Sequence, residues 1–112
     1  LNPYEIAGHS LANMVTRPAV VDFLEVIREG TEVDWEMDEI QVQENSNFAG
    51  KEIRECFNRE ELDIIIAAIQ RKNGEMKFNP RGRTIVEAGD MLIAMGYLKN
   101  LEILEQLCEN NA

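Results

Sequence analysis

Apolar residues recur along the chain first at a helical spacing, then in alternation, then at a helical spacing again, and each stretch predicts its own element. Tyr4, Ala7, Leu11 and Met14 repeat at intervals of three and four, which lines one face of a helix with about 3.6 residues per turn. Asn2 suits the cap of that helix, Pro3 its first position and Glu5 the third position after the cap. Arg17-Pro18 ends it near Thr16, and Pro18 opens a second helix whose apolar face is Val20, Phe23, Leu24 and Ile27, with Gly30 as its stop. Two such short helices, meeting at a proline corner, cannot bury both stripes against each other. The exposed remainder is therefore expected to pack on another subunit or on a part of the protein outside this chain; covering of the domain's own sheet is the alternative.

From Thr31 the period becomes two. Val33, Trp35 and Met37 alternate with Glu32, Asp34, Glu36 and Asp38, the pattern of a strand. The parity slips at Asp38-Glu39, after which Ile40 and Val42 carry the apolar face, so a bulge or break is expected there. Asn45-Ser46-Asn47 reads as a turn, Lys51 to Phe57 as a short helix, and Leu62 to Ile69 as a buried central strand. Asn73-Gly74 is the favoured pair of a type I′ hairpin leading into Glu75–Phe78. Thr84–Val86 is a short extended piece, Ala88-Gly89-Asp90 a tight turn, and Met91–Met95 the next strand. In the last helix Leu98, Leu101, Leu104 and Leu107 line up as a core-facing stripe. The order predicts an α+β fold: an N-terminal helix pair, then a small, mostly antiparallel sheet with a short helix and a C-terminal helix.

Composition narrows the function. Twenty-one acidic residues against eleven Lys and Arg give a net charge of −10, which repels polyanions and argues against general nucleic-acid binding. No apolar run approaches the roughly 20 residues of a membrane span, so direct membrane insertion is not expected. Cys56 and Cys108 lie far apart and His9 is the sole histidine, which excludes both a disulfide framework and a Cys/His zinc site of usual spacing and fits a reducing, cytosolic setting. A start at Leu1 rather than Met is expected of a piece of a longer protein.

The motifs in order form a recognisable series. Gly50-Lys51, Ile53, the strand Ile64-Ile65-Ile66-Ala67-Ala68-Ile69-Gln70-Arg71, Asn79-Pro80 and Gly89-Asp90-Met91-Leu92-Ile93-Ala94-Met95-Gly96 together resemble the TrkA-C domain, the C-terminal lobe of the RCK (regulator of potassium conductance) module. Residues 1–30 resemble the crossover helices that join the two RCK lobes, leaving 31–112 as the TrkA-C lobe. The resemblance implies a cytoplasmic domain of a cell membrane protein. It would be a potassium channel gating module that forms a homodimer and, with its RCK N-lobe and the membrane pore domain, a ring. A peripheral subunit of a Trk- or Ktr-type transporter, or an insert of another ion carrier, is the alternative host. The dinucleotide-binding N-lobe is not implied for this chain, which contains no Gly-x-Gly-x-x-Gly.

Candidate chemistry follows from both readings. His9 sits in no catalytic motif and no carboxylate pair is embedded in an apolar run, so an enzyme is not expected; an accessory ligand-binding domain of an enzyme is the rival class. Nine acids between Asp22 and Glu44 stand against Arg28 alone, and Glu32, Asp34, Glu36 and Asp38 at alternate positions make a candidate calcium site, against a merely solubilising acidic face. Arg71, Lys72, Lys77, Arg81 and Arg83 against Glu75 make a basic stretch fit for phosphate, for an acidic partner or simply for solvent. The resemblance adds a sharper site: in some RCK C-lobes cyclic di-AMP binds across the dimer two-fold. The matching positions here are Ile53, Arg54, Arg59, Ile64 and Ile65 with Pro80 nearby, Arg59 holding phosphate. Where those members carry a polar residue early in the central strand this chain has Ile64-Ile65-Ile66, so an Ile-lined two-fold without ligand is the competing expectation. Arg17-Pro18 is the expected hinge, because a ligand gates only through its differential affinity for two arrangements of the lobes.

Overall fold

The computed structural model describes residues 17–29 and 34–109; the predicted first helix and Glu32 of the acidic series lie outside them. The chain divides after Asp34 into two units. In the first, α1 spans Pro18–Glu29, where the proline was expected to open a helix. Arg17 carbonyl oxygen accepts the first bonds, from Val20 N–H at 3.0 Å and Val21 N–H at 3.3 Å. Of its apolar face Val20, Phe23 and Leu24 are exposed and Ile27 is half-buried.

In the second unit four strands form one antiparallel sheet: β1 (Trp35–Gln41), β2 (Ile64–Gln70), β3 (Met76–Phe78) and β4 (Met91–Tyr97), in the spatial order β1-β4-β2-β3. The short α2 (Ile53–Cys56) lies between β1 and β2 in sequence, and α3 (Leu98–Glu109) follows β4 directly. Registry puts Ile40, Leu92, Ala94, Gly96, Ile64, Ile66 and Ile69 on one face, which α3 covers. There Ile40, Ile64, Ile69 and Leu92 form the core with Val42, Phe48, Val86, Leu101, Leu104 and Cys108, all buried. Gly96 gives β4 and β2 a close approach, since a Cβ there would stand 3.0 Å from Ile64 Cγ2 and 3.1 Å from the Asp63 carbonyl oxygen, tighter than ordinary van der Waals contact.

Three details depart from the expectations. β1 pairs with β4 without interruption from Trp35 to Gln41, so the parity slip at Asp38-Glu39 is no bulge. Trp35 and Met37 share the second face of the sheet with Met95 and Tyr97, whereas Ile40 turns to the core; the apolar side changes while the register does not. The irregularity sits in β2, where pairing with β4 skips Ala67 between Ile66 and Ala68. In the hairpin, Gly74 has φ +89° but Asn73 does not share the positive φ that a type I′ turn demands. Gly74 N–H bonds Arg71 carbonyl oxygen at 2.9 Å and Arg71 N–H bonds Glu75 carbonyl oxygen at 2.8 Å, the pattern of a three-residue loop closed by a glycine bulge. In α3 the buried stripe is Leu101, Leu104 and Cys108, with Leu98 and Leu107 exposed. A strict three-residue repeat slips back about 60° per step on a helix, so its two ends leave the core face.

Candidate functional site

β2 supplies the floor of a cavity of about 520 Å³ whose walls are α2, the turn after it and the loop from Asn79. Each wall is fixed by backbone bonds. Ile53 N–H donates to Thr84 carbonyl oxygen and Arg54 N–H to Gly82 carbonyl oxygen, both at 2.9 Å, tying the start of α2 to the opposite loop. Glu52 and Glu55 cap α2 reciprocally. Beyond α2, Asn58 makes a side-chain turn: its Oδ1 accepts Glu60 N–H at 2.9 Å while its carbonyl accepts Glu61 and Leu62 N–H. That turn presents Arg59 at the rim, exposed and, among the described residues, without a carboxylate partner.

All six residues singled out from the sequence for a ligand pocket, Ile53, Arg54, Arg59, Ile64, Ile65 and Pro80, line this one cavity. Their availability differs. Arg54 is bound to Glu52, Nε to Oε1 at 3.2 Å, and Ile64 is only 1% exposed, so it supplies floor rather than contact area. Ile65, 41% exposed, and Arg59 are the open groups. Sequence reasoning missed Phe57, Asn58, Ile66, Asn79 and Gly82, which complete the lining. For Asn79 the signal was present but unread: its φ is +48°, and asparagine is among the few residues besides glycine that adopt this conformation routinely.

The other candidates are not assembled in the same way. Glu36 and Asp38 lie on one face of β1, two residues apart, Asp34 precedes the strand, and the backbone N–H of Glu39 donates to Asp38 Oδ1. Among the described residues no three His, Cys, Asp or Glu side chains converge as a metal site would need. The basic stretch is divided. Arg71 turns inward, donating from Nη1 to Asp90 Oδ2 and to Ile85 carbonyl oxygen, and Asp90, 1% exposed, also accepts Glu87 N–H. Lys72 leans over Gly89, whose φ is +89°. Burial raises both thiols, that of Cys56 to about 11 and that of Cys108 to about 12, which keeps them protonated and poorly nucleophilic near neutrality. No described helix is long and apolar enough to cross a membrane.

With this geometry in place, comparison with known proteins is direct. The model of the TrkA-C domain matches residues 37–108, most of the chain and the whole of the sheet apart from the first two residues of β1. The chain belongs to the TrkA-C domain family. It is 30% identical over 111 residues to the probable potassium channel protein 2 of Methanocaldococcus jannaschii, covering 96% of this chain and 32% of that one. The chain thus spans about a third of that relative's length. Among solved structures, the C domain of the KtrA regulator of conductance of K⁺, in complex with cyclic diadenosine monophosphate (c-di-AMP), superposes with a TM-score of 0.64 at 29% identity, over 80% of this chain and 95% of that one. The RCK C domain dimer of Streptococcus agalactiae BusR, also with c-di-AMP, gives 0.59 at 25% identity, over 65% and 95%. A longer BusR chain bound to promoter DNA gives 0.60 at 18% identity, over 96% of this chain and 58% of that one, a likeness of fold alone. A further relative, the K⁺/H⁺ antiporter subunit KhtT of Bacillus subtilis, is 27% identical over 94 residues, covering 84% of this chain and 54% of that one.

Proposed function

We propose that this TrkA-C domain is the ligand-sensing C-terminal lobe of an RCK module in a potassium channel protein, acting from the cytoplasm and without catalysis of its own. It works as a homodimer, part of a larger ring with the N-lobe and pore of the same protein, and takes a cyclic dinucleotide of the c-di-AMP type at the dimer two-fold. One observation carries the reading: six residues inferred from the sequence ring a single open cavity, apolar on its floor, with Arg59 unpaired at its rim. About 520 Å³ lies within the roughly 300–1,000 Å³ range of small-molecule sites, and a guanidinium without a carboxylate is suited to bind phosphate bidentately. Two of the solved relatives hold c-di-AMP.

A ligand at a subunit two-fold changes gating by favouring one arrangement of the lobes over the other. The joint at Arg17-Pro18 is proposed as the hinge that passes that change on. A second reading is favoured by Ile64-Ile65-Ile66, which brings no hydrogen-bonding side chain from β2: an apolar dimer contact that assembles without ligand. Calorimetric titration with c-di-AMP separates the two. Binding to the parent, lost by at least tenfold in Arg59→Ala with an unchanged melting temperature, supports the sensor; no heat with the parent protein, with a dimer still formed, supports plain assembly.

A further inference from the structure

The sensor reading leaves open what would distinguish one base from another on a floor of isoleucines. We infer that Asn79 is the base-reading residue of this cavity and that it selects adenine over guanine, an assignment that rests on the dinucleotide reading above. β2 skips Ala67 in its pairing with β4, and the carbonyl of that skipped residue accepts the backbone N–H of Asn79 at 2.9 Å. Bulges of this kind re-aim a neighbouring group and recur beside functional sites. Asn79 is also the one residue other than glycine with positive φ among the described residues, at +48°. A left-handed backbone at a side chain costs free energy and persists where the surrounding structure enforces it, as the bond to the Ala67 carbonyl oxygen does here against the extended bias that Pro80 places on the residue before it.

The result is a side-chain amide on the cavity wall with no hydrogen bond to the protein among the described residues. Asn58, the other amide on the wall, has its oxygen engaged by Glu60 N–H, and Arg54 is held by Glu52. Asn79 therefore offers an adjacent donor and acceptor, neither of them engaged by the protein among the described residues. Adenine presents the complement, the N6 amino donor beside the N7 acceptor, and asparagine pairs with that edge through two hydrogen bonds; guanine shows two acceptors there, O6 and N7, and leaves the amide oxygen facing an acceptor. Phosphate contact from Arg59 is common to both bases, so discrimination falls to Asn79.

Titration of c-di-AMP and its guanine counterpart c-di-GMP into the parent, Asn79→Gly and Asn79→Asp proteins tests the assignment. Glycine keeps the positive φ while removing the amide, and aspartate tolerates the same backbone but has only acceptors, so both variants are expected to fold, as thermal melts will record. The parent should prefer c-di-AMP, and both variants should lose about 5- to 150-fold in that preference with c-di-GMP affinity little changed. A preference retained within twofold in either folded variant overturns the assignment while leaving the sensor reading intact. Absence of binding by the parent overturns the sensor reading and Asn79's role with it.

Discussion

The loop that carries the far wall of the cavity depends on a buried charge, and Arg71→Met tests how much. Asp90 opens β4, is 1% exposed, and receives Arg71 Nη1 and Glu87 N–H on the same oxygen. Arg71 also holds Ile85 carbonyl oxygen at 3.0 Å, so one guanidinium clips the end of β2 to both ends of the segment from Ile85 to Asp90. Methionine fills a similar volume but leaves the carboxylate buried with a backbone N–H as its remaining partner. Removing one member of a buried pair costs about 3–5 kcal/mol. The Arg71 side chain is 23% exposed, so water relieves part of that penalty and about 3 kcal/mol is the fitting figure. For a domain of this size that lowers the melting temperature by on the order of 12–24 °C. Circular dichroism melts and urea titrations at pH 7 read the change directly. Arg71→Met combined with Asp90→Asn should recover at least about 1 kcal/mol, because the amide still accepts Glu87 N–H and no charge stays buried. A single variant melting within about 2 °C of the parent, or a double variant no better than the single, would refute the reasoning.

Two further predictions concern the core. Leu104 is fully buried beneath the sheet, so Leu104→Ala should cost about 2–5 kcal/mol in urea unfolding; a loss below 1 kcal/mol would mean that α3 does not pack on the sheet as described. Burial raises the Cys56 and Cys108 thiols from 9.0 to about 11 and about 12, so the unfolded chain ionises first as pH climbs. Their contribution to stability is complete below pH 9 and is lost as pH rises through 11–12, and the fall in stability between pH 8 and 10.5 should be shallower in a Cys56→Ala, Cys108→Ala variant than in the parent. Equal slopes would show that neither thiol is buried as described.

The sequence carried the element order because local signals agreed with tertiary placement for most of it. Pro18 opens α1, the Ile-rich run becomes β2, and Gly89-Asp90 turns into β4, since proline, glycine and β-branched residues act through their own backbone geometry. What was misread has a common origin. Parity at Asp38, the hairpin type at Asn73-Gly74 and the Leu98–Leu107 stripe were each inferred from one strand, turn or helix alone, yet each is decided by a partner: Met95 and Tyr97 opposite β1, the Arg71–Glu75 bond, and the sheet that α3 meets through Leu101, Leu104 and Cys108. The candidate pocket followed the same division. The six residues were legible through the family resemblance, whereas Asn79 enters the wall beside the skipped Ala67, and of that placement the sequence carried only the tolerance of asparagine for a positive φ.

That irregularity bears on how the lobe can sense anything. An apolar floor attracts any flat ring, and adenine and guanine offer it nearly the same ring face, so the floor by itself separates them little. Selectivity therefore has to come from the walls. The walls here are held by backbone bonds between α2 and the 82–84 segment and by the Arg71–Asp90 clip behind it, so the main chain that carries a polar group on them is fixed before a ligand arrives. A donor–acceptor pair on a fixed main chain discriminates through the hydrogen bonds a wrong base leaves unmade, and binding has only its side-chain rotamer left to order. Loosening the clip should for that reason weaken adenine preference before it abolishes phosphate contact at Arg59, which stands on a separate turn braced by Asn58. A milder clip variant, Arg71→Lys, titrated with both dinucleotides, would show this as a narrowed preference at nearly constant c-di-GMP affinity; parallel losses for both ligands would mean that the two walls move as one.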